Sequence, residues 1–157
     1  MKYLKLFEQF EEGHKFDLLD LYLMDLREVK KLFWKELYKE TPDLENIQVL
    51  LDSGLVDLEA KNNEGSTPLH RAAWNNSLAV IELLISSGAD LEAKGYNGWT
   101  PLHFAAMDNR LEVAELLISS GAEVNAKSNG GFTPLRYATV NYHQEMKELL
   151  KSHGGVQ

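Results

Sequence analysis

Thr67-Pro68-Leu69-His70 recurs as Thr100-Pro101-Leu102-His103 and again as Thr133-Pro134-Leu135-Arg136, and both steps are 33 residues long. The register reaches well beyond these four letters. Ala72-Ala73 is answered by Ala105-Ala106 and Ala138-Thr139, Leu83-Leu84 by Leu116-Leu117 and Leu149-Leu150, and Gly88 by Gly121 and Gly154. Leu58-Glu59-Ala60-Lys61, Leu91-Glu92-Ala93-Lys94 and Val124-Asn125-Ala126-Lys127 keep the same step. A fixed period of this length marks a repeat architecture in which each unit is one supersecondary element.

Each unit reads as two short helices and a turn. Thr67 is an N-cap whose side-chain oxygen can take a free backbone N–H, and Pro68 is preset for the first helical position. Ala72 and Ala73 are small enough to let neighbouring helices approach. Asn75-Asn76 makes the turn, with Asn76 tolerating a left-handed backbone. Val80, Ile81, Leu83, Leu84 and Ile85 give the second helix a broad apolar face, and Gly88 ends it as a left-handed cap. An extended segment and a tight turn at Gly98 lead on to the next unit. Neither helix can bury its apolar face alone, so the units must stack.

These residues resemble the ankyrin repeat, with its Thr-Pro-Leu-His-x-Ala-Ala core and its Gly-Ala-Asp segment, over roughly residues 44–155. The resemblance implies an all-α solenoid of paired antiparallel helices with short, projecting finger hairpins. It implies a protein-binding role on the concave surface of finger hairpins and first helices. It also implies that His70 and His103 hydrogen-bond within and between repeats.

The departures define the domains. A degenerate repeat, visible only from Leu44 to Gly54 and introduced by Thr41-Pro42, runs to about residue 61; further repeats follow at about 62–94, 95–127 and 128–157. In the last of these Arg136 replaces the histidine and Tyr142 stands where Asn76 and Asn109 turn the chain, so that unit reads as a C-terminal cap. Residues 1–40 do not match the repeat. Tyr3, Leu4, Phe7 and Phe10 form one helical stripe ended near Gly13, Asp17 starts a second apolar helix, and Val29, Leu32, Phe33 and Leu37 continue it or make another. They read as a helical N-terminal cap, since the open end of a stack needs covering; a separate docking or membrane-surface helix is the competing reading, and its glutamates argue against an anionic membrane.

Composition excludes much else. The chain has 157 residues, a formal charge of −8 and no cysteine, which removes disulfide and thiolate chemistry and fits a reducing, cytoplasmic location. The N-terminus lacks the pattern of a signal peptide, although secretion without such a signal stays open. No run of about 18 apolar residues predicts a membrane span. Residues 41–157 carry 8 basic and 15 acidic groups, a net of −7, with no basic cluster, so no nucleic-acid partner is expected. His70 and His103 alone cannot complete a metal shell. Ser86-Ser87 and Ser119-Ser120 lack a glycine-flanked nucleophile elbow, and no phosphate-cradling motif is present. His14, His143 and His153 read as scattered surface residues. The expectation is therefore a non-enzymatic monomer without cofactor or metal.

The candidate site follows from the resemblance, which places variable contact positions beside the turn glycine and at the close of the first helix. Large aromatics or methionine fill five of them: Trp74, Tyr96, Trp99, Met107 and Phe132. Stacking at 33-residue steps would align Ser66, Trp99 and Phe132 along the fingers, and Trp74, Met107 and Val140 along the first helices. Glu64 and Asp108 lie at the rim and favour a partner with some basic character. Aromatic side chains anchor interfaces because they bury much area with few rotors. A protein or peptide partner is thus expected. A small inhibitor or immunity-type regulator of an enzyme, or an effector delivered into a host cell, would use the same surface.

Overall fold

The computed structural model describes residue 21 and residues 24–157. The stripes expected at Tyr3 to Phe10, the helix start at Asp17 and His14 lie outside the described residues. Among those described, the regular structure is helical and contains no strand. The chain divides into two compact units, one ending at Asp57 and one beginning at Leu58.

The first unit contains α1, Leu26–Tyr38, and α2, Leu44–Asp52, which pack against each other. Asp25 caps α1 by accepting the Arg27 N–H, and Asp43 caps α2 by accepting the N–H groups of Glu45 and Asn46. The α2 cap is thus Asp43, two residues beyond the expected Thr41. Val29, Leu32, Phe33 and Leu37 fall on one face of α1 and are fully buried. Glu36 is also buried: its carboxylate accepts the Lys39 ammonium at 2.6 Å and the Asp43 N–H at 3.2 Å, tying the end of α1 to the start of α2. A buried carboxylate is tolerated when it is paired and hydrogen-bonded in this way.

The second unit is built from three helix pairs: α3, Pro68–Trp74, with α4, Leu78–Ser86; α5, Pro101–Met107, with α6, Leu111–Ser119; and α7, Pro134–Val140, with α8, Gln144–Ser152. First helices pack on first helices and second on second, from α3 through α5 to α7 and from α4 through α6 to α8. The alanine pairs permit this approach: Ala72, Ala73, Ala105, Ala106 and Ala138 are buried at the seams. Leu69, Leu102 and Leu135 lie beneath them, with Ile81, Leu84, Val113, Leu117, Met146 and Leu150 from the second helices. The acidic side chains of the second helices, Glu82, Glu112, Glu115 and Glu148, are exposed.

Turn chemistry repeats with the helices. Asn76, Asn109 and Tyr142 all hold positive φ between the helices of a pair, at 57°, 55° and 62°. Each finger is closed at its base by a backbone hydrogen bond, from the N–H of Asn62, Gly95 and Ser128 to the carbonyl of Ser66, Trp99 and Phe132, with a second from the finger glycine back to the first residue. The finger glycines Gly65, Gly98 and Gly131 sit at φ 75°, 71° and 79°. Gly98 has a second constraint, because a Cβ there would collide with Asn129, whose N–H donates to the Asn97 carbonyl at 2.9 Å. A further ladder joins successive repeats. Glu59 accepts the Asp90 N–H, Glu92 the Glu123 N–H and Asn125 the Val156 N–H, at 2.8–2.9 Å and always 31 residues ahead.

Candidate functional site

The site begins with the buried histidines. His70 Nε2 lies 2.8 Å from the Trp99 carbonyl oxygen, which can only accept, so Nε2 carries the proton. Nδ1 is then the acceptor for the Thr67 N–H at 3.3 Å and the Thr67 hydroxyl at 2.8 Å. His103 repeats the arrangement, donating to the Phe132 carbonyl at 3.0 Å and accepting from Thr100. Each histidine thus caps its own helix and fastens the next finger at the residue that carries a candidate contact side chain. Burial pushes both imidazoles below their usual pKa, His103 to about 4; the carbonyl bonds oppose the shift, and the nearby lysines, Lys61 for His70 and Lys94 for His103, add to it. Neutral imidazole is the form that can accept and donate at once.

Above His70 the aromatic side chains meet. Phe104 packs edge-on against Trp74, Trp99 and His70, with ring centroids 6.1, 5.2 and 5.4 Å apart. Trp99 continues to Tyr137 at 5.1 Å, and its indole N–H donates to the Tyr137 hydroxyl at 2.8 Å. Tyr137 in turn reaches Phe132 at 5.9 Å. The result is a run of rings, Trp74, Phe104, Trp99, Tyr137 and Phe132, crossing three repeats. Edge-to-face pairs of this kind add to the area they bury.

Four of the expected contact residues surround one cavity of about 280 Å³: Glu64, Trp74, Tyr96 and Trp99, with Phe104, His70, Ser66 and Arg71 completing its lining. Trp74 and Tyr96 are 46% and 65% exposed, whereas Trp99 is half-buried. Phe132 is 47% exposed one repeat further on, with the Arg136 guanidinium 5.8 Å from its ring centroid. Met107 and Asp108 do not line the cavity. They are half-buried at the end of α5, where the Met107 carbonyl accepts the His143 Nε2–H at 2.8 Å. His143, expected at the surface without a role, therefore joins α8 to α5.

Phe104 and Tyr137 were not among the expected site residues. The signal that marks them is positional: each directly follows the histidine position, so residues 71, 104 and 137 form one 33-residue row, and two of the three are aromatic. Among the described residues there is no group of three His, Asp or Glu side chains placed to hold a metal ion, and no helix long and apolar enough to cross a membrane.

Comparison with known families agrees with this architecture. A model described as ankyrin repeats (3 copies) matches residues 92–157, and one described as ankyrin repeats (many copies) matches residues 40–85. No curated protein matches the chain. Ankyrin repeats are in general protein–protein interaction modules without enzymatic activity. With three stacked helix pairs in one 33-residue register and a histidine tying each of the first two to the next finger, the chain belongs to the ankyrin-repeat family.

Proposed function

We propose that this chain is a non-catalytic binding protein that holds a protein or peptide partner on the face formed by its fingers and first helices. One observation carries the reading: Trp74 and Tyr96 stay largely exposed while converging with Trp99 and Glu64 on a single cavity. Large exposed aromatics that cluster usually mark an interaction site, because leaving them in water forfeits their burial. The flanking surface of three repeats can supply the roughly 800 Å² per partner that a specific complex needs. Phe132, exposed on the last repeat and joined to Trp99 through the Tyr137 ring, extends the apolar surface from the cavity. The absence of cysteine supports action in a reducing compartment such as the cytoplasm.

The test is selection of a displayed library of random dodecapeptides on the full chain, followed by affinity measurement of the enriched peptides. Trp74→Ala with Tyr96→Ala is the cleanest variant, because both side chains are exposed, whereas truncating Trp99 would also remove the hydrogen bond and ring contact that Tyr137 receives. Losing a buried aromatic anchor typically costs at least about 30-fold in affinity. Enrichment of peptides that bind the folded double variant as tightly as wild type would refute this site.

A further inference from the structure

Resting on that reading, we propose that the cavity between Trp74 and Trp99 takes a cationic side chain, an arginine, from a basic segment of the partner. The argument starts from shape. Both indoles meet the Phe104 ring steeply, at interplanar angles of 74° and 78°, and all three rings line the cavity. Tyr96 adds a fourth aromatic group and Glu64 the carboxylate. At about 280 Å³ the space suits one long side chain and falls just below the roughly 300–1,000 Å³ of small-molecule pockets.

Electrostatics select the occupant. Aromatic faces are negative at their centres and attract a cation lying over them. The Glu64 carboxylate adds a full negative charge, and the chain's net −8 draws basic partners toward it. Arg71 is the opposing charge in the lining, but it already takes part in an interaction of its own. Its presence favours a guanidinium over an ammonium. A guanidinium is planar, delocalised and weakly hydrated, and it can stack on a ring while its N–H groups reach a carboxylate. A compact ammonium keeps its water and concentrates its charge against Arg71.

The test uses four small probes on the full chain: the N-acetyl amides of arginine, lysine, leucine and glutamate. The readout is the three indole N–H resonances in nitrogen-15 spectra, of Trp34, Trp74 and Trp99. The arginine probe is expected to move the Trp74 and Trp99 signals in a saturable way and to leave Trp34 unmoved. Lysine should bind more weakly, and leucine and glutamate weakest. Glu64→Gln, on an exposed finger, should weaken the arginine probe about fivefold, the upper range for an exposed charge pair. Leucine binding as well as arginine would overturn the cationic assignment and leave the cavity as a binding site. Equal arginine binding by Glu64→Gln, or no probe shifting either indole, would also overturn it. In each case the selected dodecapeptides judge the wider protein-binding reading separately.

Discussion

Trp99 donates its indole N–H to the Tyr137 hydroxyl at 2.8 Å, across 38 residues of sequence, and the two rings meet at 69°. The bond uses the polar end of the tryptophan inside the protein. What Trp99 offers a partner is therefore its ring, held in one orientation between Phe104 and Tyr137. Tyr137→Phe keeps the ring contact and deletes the acceptor. The hydroxyl also donates to Ser128 Oγ at 3.4 Å, so the loss in unfolding free energy should be about 1–2 kcal/mol, most of it from the shorter Trp99 bond. The substitution should also change Trp99 fluorescence without unfolding the chain. Chemical denaturation and emission spectra of the pair check this; identical curves and spectra would mean that the bond contributes nothing.

The histidine fastenings predict acid sensitivity with a defined sign. The folded pKa of His103, about 4, lies below the ordinary 6.5, so the unfolded chain binds the proton more tightly. The stabilisation is fully present above about pH 6.5 and is lost as pH falls toward 4. Between pH 7 and pH 5 the loss from His103 alone should be about 2 kcal/mol, and His70, shifted in the same direction, adds to it. Urea midpoints at pH 7, 6 and 5 measure the slope. An imidazole titration by NMR should find His103 neutral and protonated on Nε2 until well below pH 6; ordinary titration near 6.5 would contradict the fastening.

Tyr142 is 91% exposed and holds φ at 62°, where Asn76 and Asn109 occupy the equivalent turns. A bulky side chain in the left-handed region carries a penalty that asparagine largely avoids. Tyr142→Asn should therefore stabilise the chain by about 1 kcal/mol, read as a higher denaturation midpoint with unchanged slope. A lower midpoint would show that the tyrosine ring makes a compensating contact.

Gly98 offers the opposite case. Its φ is 71°, and a methyl group there would run into Asn129 of the next finger. Gly98→Ala should cost more than about 1 kcal/mol from backbone strain alone, with the collision added. It should also perturb the indole resonance of its neighbour Trp99. Gly131, with φ 79° but nothing near its virtual Cβ, is the control that carries strain without collision. Equal losses for the two alanine variants would remove the collision from the account.

Residues 1–40 are expected to cap the stack, and the packing of α1 on α2 supports a deletion test. Removing them takes away Val29, Leu32, Phe33 and Leu37, all buried, together with the Glu36 carboxylate that accepts the Asp43 N–H. Uncovering an apolar helix face should produce aggregation or a clear drop in melting temperature. Unchanged melting would instead identify an independent arm.

The sequence by itself determined the helix pairs, their 33-residue step, the threonine caps, the asparagine turns and the glycine positions. These are local: each depends on the backbone preference of one or two residues or on the period of an apolar face, and both are written in consecutive letters. It also singled out Trp74, Tyr96, Trp99 and Glu64 as candidates, and the fold gathers these four at one cavity. Only the tertiary structure decided that Phe104 stands between the two tryptophans, that Tyr137 takes the Trp99 N–H, and that Met107 and Asp108 lie outside the lining. The reason is physical. His70 to Trp99 and Trp99 to Tyr137 are contacts across 29 and 38 residues, set by how closely stacked helices approach and which rotamers then fit. A repeat period states which positions align, while packing between repeats settles which aligned side chains touch each other and which remain for a partner.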